Sequence, residues 1–355
     1  MRERVCRIAV LAGDGIGKEV IPAGQRVLEA AVGDDARLAW QALDWGSDYY
    51  RAHGVMMPPD GLEILKDFDA IYLGAVGEPG VIPDHVTLWG LLLPIRKAFD
   101  LYVNVRPIRL LPGITGPLRD KGPRDIDMIF VRENTEGEYA GAGGRVHTGT
   151  PHEVAIQTSV FSRFNVERVV RYAFELARGR RKHLTSITKS NAMQYAMPFW
   201  DEVVAEVAAD YPDVAVTALL VDAAAALMVR SPERFDVAVG SNLFADILTD
   251  LGGAIMGSLG LPPSANLAYS DEFPSLFEPV HGSAPDIAGQ GLADPLGAIW
   301  AGAMMLDYLG LGAAGKRVMR ALEATTAAGD VLPVDLGGRA GTEQVADAVI
   351  ERLEG

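Results

Sequence analysis

The sequence predicts an α/β protein. Short apolar runs suited to buried strands alternate with stretches at helical spacing along the whole chain. With 355 residues the chain is too long for one small core and suits about two domains. No Pro/Ser linker divides it, so two domains imply that the chain crosses between them more than once. Arg7–Leu11 is the first apolar strand, and Lys18–Ala31 follows at helical spacing. Ala70–Leu73 is a second buried strand, closed by the glycine turn Gly74–Gly77. Leu88–Phe99 is predicted helical, and Tyr102–Leu111 extended as far as Pro112-Gly113. Asp127–Val131 is a strand, and Glu138–Val160 has the glycine turns and alternation of a hairpin arm, a common oligomer contact. A helix at Asn165–Arg178, a strand at Leu184–Ile187 and a helix at Ala196–Ala208 come next. Val214–Val221 and Asp236–Val239 are strands, and the amphipathic helix Leu243–Leu251 runs on into the apolar Ala254–Leu259. Pro295–Gly355 is mostly helical.

Composition excludes several functions. Lysine and arginine number 32 against 47 acids, a net charge of −15, which disfavours nucleic acid and anionic membrane as partners. A lone cysteine, Cys6, permits no intrachain disulfide and suits a reducing cytoplasm. The apolar run Ile8–Ala12 is too short for a signal-peptide core. The longest apolar stretches, Val214–Val229 and Leu296–Leu306, are expected to be buried elements of a soluble protein rather than membrane spans.

Four groups of residues could carry chemistry. Asp246 and Asp250 lie four apart on a predicted helix, so both carboxylates share a side and repel unless a cation lies between them. Mg²⁺ or Mn²⁺ prefers such oxygen ligands. Asp222, entering an alanine run after a strand, is a candidate third ligand. The alternative is two solvated helix acids and one capping aspartate. Arg96, Arg106 and Arg132 form the second group. Arg106 lies in a largely apolar run, where a buried guanidinium needs an anion, and three converging arginines would suit a small di- or tricarboxylate. Structural ion pairs are the alternative. The third group is two glycine loops. Gly13–Gly17 follows a strand and opens a helix, where it either holds an anion or is a plain turn. His281–Gly289 could admit a flat ligand, with Asp286 accepting from ribose hydroxyls and repelling a 2′-phosphate, or could be an ordinary surface loop. Tyr139 and Lys189, both near strand ends, are the acid/base candidates.

In this order and combination, these stretches resemble one family across nearly the whole chain: the metal-dependent β-decarboxylating dehydrogenases of 2-hydroxy acids. The resemblance rests on Gly13–Gly17, the three arginines, Arg132–Tyr139, Lys189-Ser190-Asn191, Asp222, Asn242–Asp250 and Glu278–Gly289. Asp44–Tyr50, Gly74–Gly77, Asp84–Gly90, Phe273–Gly282 and Trp300–Asp307 are most similar to members acting on tartrate or D-malate. The resemblance implies an isopropylmalate-dehydrogenase-like two-domain fold, not a standard Rossmann fold. Residues 1–103 with 258–355 would form a large domain carrying most cofactor contacts. Residues 104–257 would form a small domain with the dimer arm and metal aspartates.

The family's activity would be NAD- and metal-dependent oxidation and β-decarboxylation. The resemblance gives Asp222, Asp246 and Asp250 to Mg²⁺ or Mn²⁺, with Asp222 coming from the partner in a homodimer. Potassium is an optional further cofactor. Arg96, Arg106 and Arg132 would bind substrate carboxylates, Lys189 would take the hydroxyl proton and Tyr139 would protonate the enol carbon. Glu278, His281, Gly282, Ser283, Ala284, Asp286, Ile287, Asp294, Asn191, Gly74 and Val76 would meet NAD. Thr87, Trp89 and Leu92 would face the C3 substituent. The bulk of Trp89 argues for D-malate or tartrate over 3-isopropylmalate or another alkylmalate. A catalytically silent regulatory subunit is the remote alternative, disfavoured because every acid/base and metal residue is present. Ala245, Ala12 and Asp294 depart from the family pattern. Asp294 stands for an asparagine near the adenine, which removes an amide donor.

Overall fold

A computed structural model describes residues 4–353. Its strands, in chain order, are β1 (Val5–Gly13), β2 (Arg37–Ala42), β3 (Ala70–Ala75), β4 (Val103–Arg109), β5 (Asp127–Glu133), β6 (Gly137–Val146), β7 (Val154–Val160), β8 (His183–Thr188), β9 (Ala215–Leu220), β10 (Val237–Gly240), β11 (Pro263–Leu267) and β12 (Ser275–Pro279). The chain divides into two compact units: Met1–Leu101 with Arg109–Pro123 and Gly253–Gly355, and Tyr102–Ile108 with Arg124–Gly252. Arg109–Pro123 thus returns to the first unit, unlike in the expected 1–103/104–257/258–355 division. Arg109 pairs with Glu323 at 2.7 Å, and Gly113 packs so closely on the backbone of Thr326 that no Cβ would fit.

In the first unit the strand order is β2-β1-β3-β12-β11. β1 is parallel to β2 and β3, β3 is parallel to β12, and β11 runs antiparallel to β12. β3 is buried at every residue, as expected of a strand covered on both faces. Trp45, Met56, Leu65, Leu91, Ile95 and Phe99 belong to the cluster on one side. Helices Gly17–Val32, Leu296–Tyr308 and Gly312–Ala328 pack together, and the Tyr72 hydroxyl donates to the Ala298 carbonyl at 2.7 Å. Leu296–Tyr308 is apolar nearly all round and buried accordingly. The helix expected at Leu88–Phe99 begins earlier and is not regular. A helical turn at Asp84–Thr87 passes into a π-helical turn at Leu88–Leu92 and then into Leu93–Ala98. Pro94 has no N–H for the regular i→i−4 ladder, which is a local reason for the widened turn. β2, β11 and β12 are strands not expected from the sequence.

In the second unit the order is β4-β5-β10-β8-β9, with β5, β10, β8 and β9 successively parallel. Helix Arg163–Arg178 starts two residues before its expected limit because the Ser162 hydroxyl accepts from the Asn165 N–H at 3.2 Å. The expected arm is the antiparallel hairpin β6–β7, with Arg145 opposite Ala155 and Val146 opposite Val154. Val214–Val229 corrects the sequence reading of a buried element. Its β9 is the last strand of the order, followed by helix Val221–Arg230, and Val216 and Val229 are 39% and 44% exposed.

Candidate active site

Helix Asn242–Met256 positions the acids of the second unit. Glu138 on β6 accepts from the Leu243 N–H and the Ser241 hydroxyl, each at 3.0 Å. This places negative charge at the helix's electropositive start. Asp246 lies one turn in. Its Oδ1 accepts from Arg106 at 3.1 Å and from Arg132, while its Oδ2 accepts from the Tyr139 hydroxyl at 3.0 Å. Both arginines are buried and held from behind. Arg106 donates to Asn104 and Thr249, each at 2.7 Å; Arg132 donates twice to Asn242 Oδ1, at 3.0 and 2.7 Å. The guanidinium of Arg132 also lies 5.5 Å from the Tyr139 ring centroid. Burial, then the charge of Asp246, pushes the Asp250 carboxyl above its ordinary range, with Arg106 and Arg132 opposing.

Lys189 and Asp222 form a separate pair. Lys189 directly follows β8, Asp222 lies in the first turn of Val221–Arg230, and their charged groups are 2.7 Å apart. The lysine hydrogen bond lowers the Asp222 carboxyl pKa. Among the described residues of one chain, no three His, Cys, Asp or Glu side chains form a metal-holding group. Asp222 therefore does not join Asp246 and Asp250 within a chain. Asn191 is exposed just beyond Lys189.

The first unit holds the remaining candidates. Arg96 is buried and paired with Glu278 at 2.9 Å, and Asn266 donates to the same carboxylate oxygen at 2.9 Å. Thr87 is fully buried and Leu92 belongs to the core. Trp89 is 43% exposed, with the Lys97 ammonium 4.6 Å over its ring. Gly74 packs against the Ala12 carbonyl and Gly17, and Val76 packs on the core cluster. The loop Gly13–Gly17 is a plain turn: Asp14 and Ile16 donate their N–H groups to Ala75 and Ser283, each at 2.9 Å. The buried Asp14 carboxylate ties this turn to Ser47 and Gly77.

Beyond it lies a cavity of about 590 Å³ lined by residues including Ile16, His281, Ala284, Ile287, Leu292 and Asp294. His281 Nδ1 lies 2.9 Å from the Gly282 carbonyl, so the ring proton belongs there and the buried Nε2 is an acceptor without a hydrogen-bond partner. Burial lowers the His281 pKa. Ser283 is buried, while Gly282 and Asp286 are exposed. Sequence reasoning had assigned no role to Asn104, Asn242, Thr249, Asp14, Ser258 or Asp335. Asn242, directly before a helical pattern and near two acids, offered a readable signal.

The family model for isocitrate/isopropylmalate dehydrogenase matches residues 7–349. This chain belongs to that family. It is 54% identical to a probable tartrate dehydrogenase/decarboxylase of Agrobacterium vitis over 355 residues, covering 99% of each chain. It is also 54% identical to the decarboxylating D-malate dehydrogenase of Escherichia coli K12, covering 98% of each. The crystal structure of isocitrate dehydrogenase from Methylococcus capsulatus matches with a TM-score of 0.89 at 34% identity, covering 99% of this chain and 100% of that one. The two-unit α/β fold is therefore the family's, and the protein is an oxidoreductase. Among its described residues no helix is long and apolar enough to cross a membrane.

Proposed function

We propose that the protein oxidises and decarboxylates a small 2-hydroxy dicarboxylic acid, D-malate or tartrate, using NAD and Mg²⁺ or Mn²⁺. The observation that carries this reading is the single carboxylate of Asp246 joined to Arg106, Arg132 and Tyr139. Two buried guanidiniums beside a phenol can hold a substrate carboxylate and move a proton near it. Arg96 pairs with Glu278 as the other two arginines pair with Asp246, so all three serve as candidates for the substrate carboxylates.

The donor set fits a hard divalent cation. Asp246 and Asp250 are oxygen donors one helical turn apart; burial first, and then the charge of Asp246, raises the Asp250 pKa, and a cation between the two acids would relieve that repulsion. The first unit's cavity fits a dinucleotide's adenosine end. It has apolar walls, an acceptor at His281 Nε2, and no Lys or Arg among its described lining residues. A 2′-phosphate would lack a positive partner there, which favours NAD over NADP. When bound, NAD supplies the hydride acceptor and the metal supplies polarisation of the C2 oxygen and of the developing enolate.

The protein's own groups do the rest. Arg106 and Arg132 orient the acid. Lys189, released from Asp222 and in its neutral form, accepts the C2 hydroxyl proton as hydride leaves C2. Loss of CO₂ from the β-carboxylate leaves its electron pair on the enolate, and Tyr139 protonates C3. D-malate thus becomes pyruvate and CO₂, with NAD reduced to NADH. Because Asp222 lies outside the Asp246–Asp250 group of its own chain, it would serve a second copy, and Lys189, paired with it, would go too. Exposed apolar side chains on both β6–β7 and the metal helix support such a homodimer: Ile156 and Ile247 are 56% and 59% exposed.

NADH formation measured by absorbance with Mn²⁺, comparing D-malate, L-tartrate and 3-isopropylmalate, tests the reading. NADP and chelator controls run alongside. Metal-dependent turnover of D-malate or tartrate with NAD is expected. Preference for isopropylmalate would overturn the substrate assignment and the steric role given to Trp89.

A further inference from the structure

Adjacent residues of a strand point to opposite faces, yet Glu138 and Tyr139 both reach helix Asn242–Met256. The Glu138 carboxylate forks over the helix start: Oε1 accepts from the Ser241 hydroxyl and Oε2 from the Leu243 N–H, each at 3.0 Å. Tyr139 meets the same helix one turn further on, at Asp246 Oδ2. An irregularity in β6 permits this. Gly137 pairs with Val160 and Ala142 with Thr158, so five steps along β6 match two along β7. Such a bulge breaks the alternation and re-aims side chains. Gly137 and Gly141 bound it at φ of 64° and 78°, a conformation glycine takes without strain.

A bulge interrupts the ladder that would otherwise fix the strand, so other contacts must hold it. Two glutamates tie the segment before it. Glu133 accepts from the Thr135 and Glu136 N–H groups at 2.7 and 2.9 Å, and Glu136 accepts from the Ser162 N–H and hydroxyl, each at 2.9 Å. Glu138 is the last tie before the phenol. Its side chain grips the helix start while its carbonyl accepts from Gln157 Nε2 on β7 at 3.1 Å. Ser241 is fully buried, and its hydroxyl also accepts from the Phe244 N–H at 3.4 Å, so the grip is on a fixed point. Arg106 and Arg132 have supports of their own in Asn104, Thr249 and Asn242.

We infer that Glu138 is the positioning residue for Tyr139: it fixes the β6 bulge on helix Asn242–Met256 and so aims the phenol at the Asp246 carboxylate. This rests on the acid role proposed for Tyr139 and deepens it. A double-mutant cycle on the whole protein, with D-malate, NAD and Mn²⁺, tests it. Glu138→Ala should lower kcat about a hundredfold, the cost of misplacing a catalytic group by about 1 Å, and leave KM for D-malate within about twofold. Glu138→Gln keeps an acceptor for Leu243 and can donate its amide N–H to the Ser241 oxygen, so kcat should return to within about threefold of the parent. In the Tyr139→Phe background Glu138→Ala should cost nothing further, because its effect passes through the phenol. Denaturant midpoints check that each variant is folded. Should alanine unfold the protein, Glu138→Asp, one methylene shorter, takes its place in the cycle. An alanine variant with parental kcat, or a glutamine variant that rescues nothing, overturns the inference. So does a loss that persists in full beside Tyr139→Phe, which would make Glu138 a support of the helix alone. Any of these leaves the acid role of Tyr139 standing. If Tyr139→Phe turns over like the parent, that acid role falls, and Glu138's role falls with it.

Discussion

Two apolar helices, each entered beside an aspartate, meet opposite fates. Leu296–Tyr308 is wrapped by its own unit, and the acid before it, Asp294, is buried and raised in pKa. Val221–Arg230, with β9 before it, leaves Val216 and Val229 exposed, and its acid, Asp222, is exposed and lowered in pKa by Lys189. Composition is similar and burial is not. Apolar content states how much surface a segment must hide; it does not state whether the same chain hides it. The first helix is core. The second leaves Val216, Val229 and Asp222 in solvent, the surface that the proposed second copy would cover.

The strongest way to break this contrast is a mixing experiment. Lys189→Ala and Tyr139→Phe should each lower kcat about a thousandfold, the usual worth of a general base or acid. If Lys189 and Tyr139 of one site come from different copies, co-refolded mixtures should recover about a quarter of the parental activity, because half the random dimers are mixed and each has one intact site. A mixture with no recovery would place both residues in one chain's site and remove the partner role of Asp222.

The buried helix predicts the next largest effect. Gly297 lies so close to the Gly260 carbonyl that any Cβ must displace backbone. Gly297→Val should cost about 3 kcal/mol in chemical denaturation, the upper end of overpacking. A matching change on another exposed apolar position of the second unit is Ile247→Glu on helix Asn242–Met256. A free surface would change by no more than about 0.5 kcal/mol, whereas an interface should lose about 2 kcal/mol of dimer affinity. Sedimentation across a concentration series separates the two.

Much of this contrast was hidden in the sequence for a physical reason. Hydrophobic periodicity located Ala196–Ala208 at its observed limits and β8 to within a residue at each end, since the helix buries one apolar stripe and the strand is a short run buried on both faces. β2, with its short mixed sequence RLAWQA, has little apolar signal and was missed. The π-helical turn at Leu88–Leu92 was read as regular helix because apolar spacing does not register the extra residue per turn. Spacing alone put Asp246 and Asp250 together. The link from Asp246 to Arg106, Arg132 and Tyr139 spans 107 to 140 positions, and only the fold brings those residues into contact. Asp294 was recognised as a departure, but its raised pKa comes chiefly from burial and then from Asp335, neither of which residue spacing shows.

The smallest effect concerns that acid and has a definite sign. The folded-state pKa of Asp294 lies well above the ordinary 3.8, chiefly from burial. Below 3.8 the group is protonated in both folded and unfolded chains and causes no pH-linked loss. As pH rises toward the folded pKa, the unfolded chain gives up the proton and the folded chain must keep it, so stability falls. Asp294→Asn keeps an acceptor for Leu296 and has no proton to lose. Its stability relative to the parent should therefore grow as pH climbs from 4 to 7, measured by denaturant midpoints at each pH. At Asp222, where the pKa is lowered, the linkage runs the other way. The Lys189 pairing is present above the unfolded pKa and is lost as pH falls through the folded one, so Asp222→Asn should narrow its deficit in acid. Parallel pH profiles for the two variants would show that the buried and exposed helices do not hold their acids differently.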